Sequence, residues 1–199
     1  MDNRPIGFFD SGLGGLTCIP HLMKKLPDEK MIYFGDTART PYGSKAISTI
    51  KNFSMEIADF LVKSNVKMIV IACNTVSSTC LEDLRRKFPQ IPILGIIDPA
   101  AKSIAEHGNA DSRVGIIGTK VTIASRAYEE CISRYNGSIN IFGRICVTAL
   151  YVPDRDEEKV RSADAVFEFS QRVENSKIKA GMNAAIFANV ERLEFSALN

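Results

Sequence analysis

Val66-Lys67-Met68-Ile69-Val70-Ile71-Ala72-Cys73-Asn74-Thr75 is the stretch on which the fold reading turns. Its first seven residues are a short apolar run of the kind that fills an inner parallel strand. Asn74-Thr75 opens a helix-like segment from Val76 to Phe88, closed by Pro89. A strand that runs directly into a helix is half of a βαβ unit, and Cys73 lies at the junction. In an open parallel sheet, ligands bind outside the carboxyl ends of the strands, so this reading puts Cys73 in a pocket wall. Backbone N–H groups and the positive end of a helix dipole would both favour thiolate over thiol there. The plainer alternative is a small buried hydrophobe, since free cysteine is among the most buried residue types.

The same alternation extends in both directions. Ile6–Phe9 reads as a first strand ending in Asp10-Ser11-Gly12-Leu13-Gly14-Gly15, with a helix over about Leu16–Lys25 stopped near Pro27. Met31–Phe34 reads as a second strand, followed by the loop through Arg39-Thr40-Pro41-Tyr42-Gly43-Ser44. A long helix from about Ala46 to Ser64 carries Ile50, Phe53, Ile57, Phe60 and Leu61 at helical spacing. Ile91–Ile97 is a fourth strand with Asp98-Pro99 at its end. Such alternation predicts α/β architecture, a parallel sheet flanked by helices.

A second unit is expected to open at Pro99. A helix over Ala100–His107, the strand Arg113–Thr119, a helix over Ile123–Tyr135 and the strand Ser138–Phe142 follow in order. The character changes after about Cys146. Asp154–Arg161 is crowded with charge, and Ala163, Val166, Phe167, Ser170 and Val173 suit an amphipathic helix. Gly181 ends that helix or starts another, and no third strand is predicted in this unit. The division is therefore a first α/β domain, 1–98, carrying Cys73, and a second, incomplete one, 99–199, with a helical tail from about 150.

Bulk composition narrows the classes. The chain has 199 residues, a formal net charge of +2 and five scattered cysteines (Cys18, Cys73, Cys80, Cys131, Cys146). That charge gives no reason to expect nucleic acid or an anionic membrane as partner. No apolar run approaches the roughly 20 residues a bilayer span needs, and Met1–Pro5 lacks a signal-peptide layout. An odd cysteine count without Cys-x-x-Cys spacing argues against a disulfide framework or a structural zinc. Only His21 and His107 could add imidazole ligands, and neither sits in a ligand cluster. A cytoplasmic protein without metal is the expectation. Cys18, Cys80 and Cys131 fall in predicted helices and read as core fillers.

Three loops are expected to meet at the carboxyl end of the first sheet. Asp10 can accept from a ligand ammonium group or take part in proton transfer, although Asp10 or Ser11 could merely cap the next helix. Gly12-Leu13-Gly14-Gly15 is not a dinucleotide fingerprint, because Thr17 occupies the place of the last glycine. Pro41-Tyr42-Gly43 alone is a turn and Asn74-Thr75 alone a helix cap. Together they would surround one thiol with polar groups suited to an amino acid.

These segments carry a resemblance. Phe9-Asp10-Ser11-Gly12-Leu13-Gly14-Gly15, Gly35-Asp36-Thr37-Ala38-Arg39-Thr40-Pro41-Tyr42-Gly43 and Ala72-Cys73-Asn74-Thr75 resemble the signature segments of glutamate racemases, within the aspartate/glutamate racemase superfamily. Gly118-Thr119, Thr122-Ile123-Ala124-Ser125 and Tyr128 add a weaker match, so the resemblance covers roughly residues 5–146. It implies a racemase-like fold with a nearly complete first domain and a partial second one. It also implies cofactor-independent interconversion of L- and D-glutamate by thiol-based proton transfer at Cα, supplying D-glutamate for peptidoglycan and hence cell-wall and cell-shape maintenance. By the same resemblance Cys73 is one of two catalytic cysteines, Asp10 assists, and Asp10, Ser11, Tyr42, Gly43, Asn74 and Thr75 hold the substrate. A homodimer is left open.

The family's second catalytic cysteine lies in a Gly-Cys-Thr-His segment, which does not occur in these 199 residues. Cys146 lies near a position where the family often has a non-catalytic cysteine. Alternatives are a single-cysteine decarboxylase or isomerase of the same superfamily, and a non-catalytic binding or regulatory module that keeps the pocket. A phosphatase-like α/β fold with Asp10 as nucleophile leaves Cys73 and Tyr42 without a role.

Overall fold

The computed structural model describes residues 2–145 and the backbone of Ala184–Phe187. Among the described residues, seven strands form two sheets. β1 (Ile6–Asp10), β2 (Met31–Gly35), β3 (Met68–Ile71) and β4 (Ile93–Gly95) make a four-stranded parallel sheet in the order β2-β1-β3-β4. β5 (Arg113–Gly118), β6 (Asn140–Ile145) and β7 (Ala184–Phe187) make a second parallel sheet in the order β6-β5-β7. β1 is buried along its whole length between β2 and β3, as an inner parallel strand must be.

The helices follow from apolar spacing and from where it stops. A 3-10 turn (Gly14–Cys18) leads into α1 (Ile19–Lys25), and the long α2 (Ile47–Lys63) buries Ile50, Ile57, Ala58 and Leu61 against the first sheet. Each of those large side chains contributes roughly 1.5–3 kcal/mol on burial. Asn65, left-handed at φ 57°, lies just past the Ser64 C-cap and ends the helix. Phe60 lies on α2's exposed flank, its ring 5.4 Å from that of Phe34, rather than in the core its spacing suggested.

α3 (Asn74–Thr79) and α4 (Leu81–Lys87) divide the single helix expected after Cys73; Cys80, at φ −123°, interrupts it. α5 (Ile97–His107) starts earlier than expected and takes Asp98 and Pro99 into its first turn, which Pro tolerates because an N–H there has no helical partner. β4 is accordingly only three residues long. α6 (Lys120–Ser125) and α7 (Ala127–Tyr135) are likewise one expected helix, broken at Arg126 with φ 55°.

The strand β7 corrects the expectation that the second unit has no third strand. It pairs with β5 in parallel, Val114 opposite Ala184 and Ile117 opposite Phe187. Four residues, two of them alanine, carry no alternation that separates strand from helix. The expected amphipathic helix around Ala163–Val173, the charged Asp154–Arg161 segment and Cys146 lie outside the described residues. Each sheet has its own core, one around Phe9, Ile57, Leu61 and Ile71 and one around Val114, Ile116 and Ile132. Among the described residues, no helix is long and apolar enough to cross a membrane.

Candidate active site

β1 and β3 are neighbours at the middle of the first sheet, in register from Ile6 opposite Met68 to Phe9 opposite Ile71. Their carboxyl ends therefore bring Asp10 and Cys73 together. Asp10 is 6% exposed and Cys73 is fully buried. The Cys73 thiol donates to Ser11 Oγ at 3.3 Å. That hydroxyl in turn lies 3.5 Å from Asp10 Oδ1, which also accepts the Ser11 backbone N–H at 2.7 Å. Asp10 Oδ2 accepts the Gly15 N–H at 2.9 Å, so the carboxylate also holds its own loop closed. The capping role weighed for Asp10 is not what the structure shows: Leu13 is the N-cap of the 3-10 turn, and Asp10 instead bonds the Gly15 N–H inside it. Gly15 is required there: a Cβ would come 2.6 Å from Ala72 Cβ.

Burial pushes the Cys73 thiol up to about 12, and the neighbouring Asp10 charge adds to the rise. The Ser11 hydroxyl and the backbone N–H groups of Val76 and Ser11 act in the opposite direction and are outweighed. This reverses the expectation of a favoured thiolate. The donors are present as foreseen, but complete removal from water penalises the charged form more strongly. Cys73 rests as a thiol.

The second loop is built on Asp36, at the end of β2. Its Oδ2 accepts from the Tyr42 hydroxyl and from Arg39 Nε at 2.7 Å. Arg39 also pairs with Glu56, and its guanidinium stacks 4.2 Å above the Phe53 ring, which lies 5.7 Å from the Tyr42 ring. Burial first, and Asp36 second, hold Tyr42 above the ordinary phenol range, so it stays a donor. Asp36 was not among the expected site residues. Its position one residue past a strand end, six residues before Tyr42, is the signal that could have found it.

Asn74 and Thr75 face the other sheet. Tyr128, from α7, donates to Asn74 Oδ1 at 2.6 Å, and Thr75 Oγ1 lies 3.2 Å from Thr119 Oγ1. Thr119 caps α6, accepting the Thr122 N–H at 3.3 Å, with its hydroxyl 3.0 Å from that of Thr122. Gly43 packs against the same threonine: a Cβ there would come 2.4 Å from Thr119 Cβ and Cγ2. The structure thus gathers Asp10, Ser11 and Cys73 into one bonded group. It seats Gly43, Asn74 and Thr75 against second-sheet residues and anchors Tyr42 on Asp36. A cleft of about 330 Å³ runs along Gly43–Ile47, Thr79 and one side of α6 (Lys120, Val121, Ala124 and Ser125), and Gly43 is its one member from the expected set.

The other described cysteines match the core-filling reading in part. Cys80 is buried at the α3–α4 junction, Cys131 is buried in α7 and donates to Asp98 Oδ1 at 3.3 Å, and Cys18 is only half-buried. Among the described residues, no group of three or more His, Cys, Asp or Glu is arranged to hold a metal ion.

The sequence pattern of one family, Asp/Glu/Hydantoin racemase, matches residues 17–186. A glutamate racemase from Geobacter metallireducens is 46% identical over 157 residues, covering 79% of this chain and 57% of its own length. The crystal structure of glutamate racemase from Francisella tularensis in complex with D-glutamate superposes with a TM-score of 0.67 at 44% identity. It covers 73% of this chain and 54% of the other. Glutamate racemase from Aquifex pyrophilus covers 98% of this chain and 73% of its own, with a TM-score of 0.76 at 30% identity. The chain spans little more than half the length of the Geobacter relative.

Proposed function

Because the chain belongs to the Asp/Glu/Hydantoin racemase family, we propose that it binds glutamate and moves the proton at Cα through the Cys73 thiol. No cofactor takes part, and the product of interconversion is D-glutamate for peptidoglycan. The observation that carries the reading is the bonded run from Cys73 Sγ through Ser11 Oγ to Asp10 at the ends of two adjacent central strands.

The chemistry follows from the resting state. A thiol with a raised pKa is already the proton donor that a planar carbanion-like species at Cα needs. In the reverse direction it must first lose its proton. Ser11 lies between it and the Asp10 carboxylate, so the proton has a hydrogen-bonded route from the thiol toward Asp10. Ser11, Tyr42, Gly43, Asn74 and Thr75 hold the substrate, with hydroxyl, amide and backbone groups matched to its ammonium and carboxylates. Dryness matters because the α-proton of an amino acid is very weakly acidic, and water-excluded sites strengthen every electrostatic contact.

Inversion needs an acid/base group on each face of Cα, and Cys73 serves one. A second reading, a glutamate-binding module without turnover, is favoured by the complete burial of Cys73, which holds its thiol in the neutral form. Both readings require binding. Calorimetric titration of the purified 199-residue chain with D-glutamate, L-glutamate and succinate tests this. Binding of at least one glutamate enantiomer in preference to succinate is expected; no binding of either would overturn both readings.

A further inference from the structure

We infer that Tyr128, on the second sheet's α7, is a positioning residue that sets the orientation of the Asn74 side-chain amide. The inference rests on the glutamate reading for its ligand, but not for its geometry. Tyr128 is 3% exposed and Asn74 5% exposed, and their bond of 2.6 Å spans from one sheet's helices to the other's. A buried phenol that only accepted from the amide would leave its own proton without a partner, and Asn74 Oδ1 is the acceptor within reach. The hydroxyl therefore donates, Oδ1 is turned toward Tyr128, and Nδ2 is turned away from it.

That orientation has a consequence for recognition. No buried side-chain nitrogen or oxygen among the described residues lacks a partner, and the Asn74 amide bonds to protein through its oxygen. With Oδ1 engaged by Tyr128, the nitrogen is the end of the amide turned toward a ligand. Two N–H donors suit a carboxylate oxygen and disfavour an ammonium group. Asn74 alone could flip and offer either character; Tyr128 removes the choice. Burial keeps the phenol protonated well above neutral pH, so the setting does not change across the physiological range.

The test uses Tyr128→Phe, which keeps the ring and its packing, on the full 199-residue chain. In the ¹⁵N-labelled, ligand-free protein, the Asn74 side-chain NH₂ pair is identified by its loss in Asn74→Asp. It is expected to shift and average in Tyr128→Phe while the backbone spectrum is otherwise retained. Affinity for glutamate is expected to fall about tenfold in Tyr128→Phe. The fall should vanish when the substitution is made in an Asn74→Ala background, because a residue acting through Asn74 has nothing left to act on. An unchanged NH₂ pair in Tyr128→Phe, or the same tenfold loss with and without Asn74, would overturn the inference. A wild-type chain that binds no glutamate would sink the functional reading instead, and the NH₂ pair would still decide the role of Tyr128.

Discussion

The two sheets contribute to the site in different ways. The first supplies an ionisable carboxyl and a thiol directly from strand ends: Asp10 closes β1, and Cys73 follows β3 and caps α3. The second supplies neutral hydroxyls, Thr119 after β5 and Tyr128 from α7, which meet Thr75 and Asn74. The Cys73–Ser11–Asp10 group is therefore carried by one sheet, and part of the frame that holds its neighbours is carried by the other. A change on the first side should alter chemistry, and a change on the second should alter affinity and stability.

The largest effect expected from this contrast is on thiol reactivity. With its pKa at about 12 rather than 9.0, Cys73 should be alkylated by iodoacetamide at pH 7 roughly a thousandfold more slowly than an ordinary thiol. The rate should climb about tenfold per pH unit toward pH 12. Asp10→Asn removes a charge that raises the pKa, so it should speed the reaction; a slower reaction would contradict the assignment. Linkage has the same sign. A thiol kept neutral by burial supports the fold fully below about pH 9, and that support is lost as pH rises through about 12.

Gly43→Ala tests the contact between the sides. Its Cβ would overlap Thr119, so the loop must move; the expected cost is about 1–3 kcal/mol in urea unfolding, with at least a tenfold loss of glutamate affinity. Thr119→Val is smaller. It removes the cap of α6 and the link to Thr75, at about 1–2 kcal/mol. Tyr135→Phe is the control: its hydroxyl, on α7, bonds Asp98 on α5 at an exposed place, and an equal loss there would erase the contrast.

Much of the first side was legible in the sequence. Ile6–Phe9, Met31–Phe34 and Val66–Ala72 read as strands from short apolar runs bounded by turn residues, and each falls on a strand within two residues at either end. Asp10, Asp36 and Cys73 lie at or just past those ends, and of the three only Asp36 was absent from the expected set. Less of the second side was legible. Arg126 breaks a helix in the left-handed region without the Gly or Asn that would announce it. Strand β7 is defined by its pairing with β5 rather than by its own pattern. The sign of the Cys73 shift was missed for a related reason. Helix position is a local property, whereas complete burial depends on what the rest of the chain packs around the thiol.

The most direct test of Cys73 as the group that moves the α-proton is proton NMR of L- and D-glutamate in D₂O, with the purified chain and with Cys73→Ala. The account predicts that the Hα signal of at least one enantiomer is lost to deuterium, and that Cys73→Ala slows this by about 10²–10⁴-fold. Exchange that persists at the wild-type rate in Cys73→Ala, or no exchange by a folded chain that binds glutamate, would contradict it.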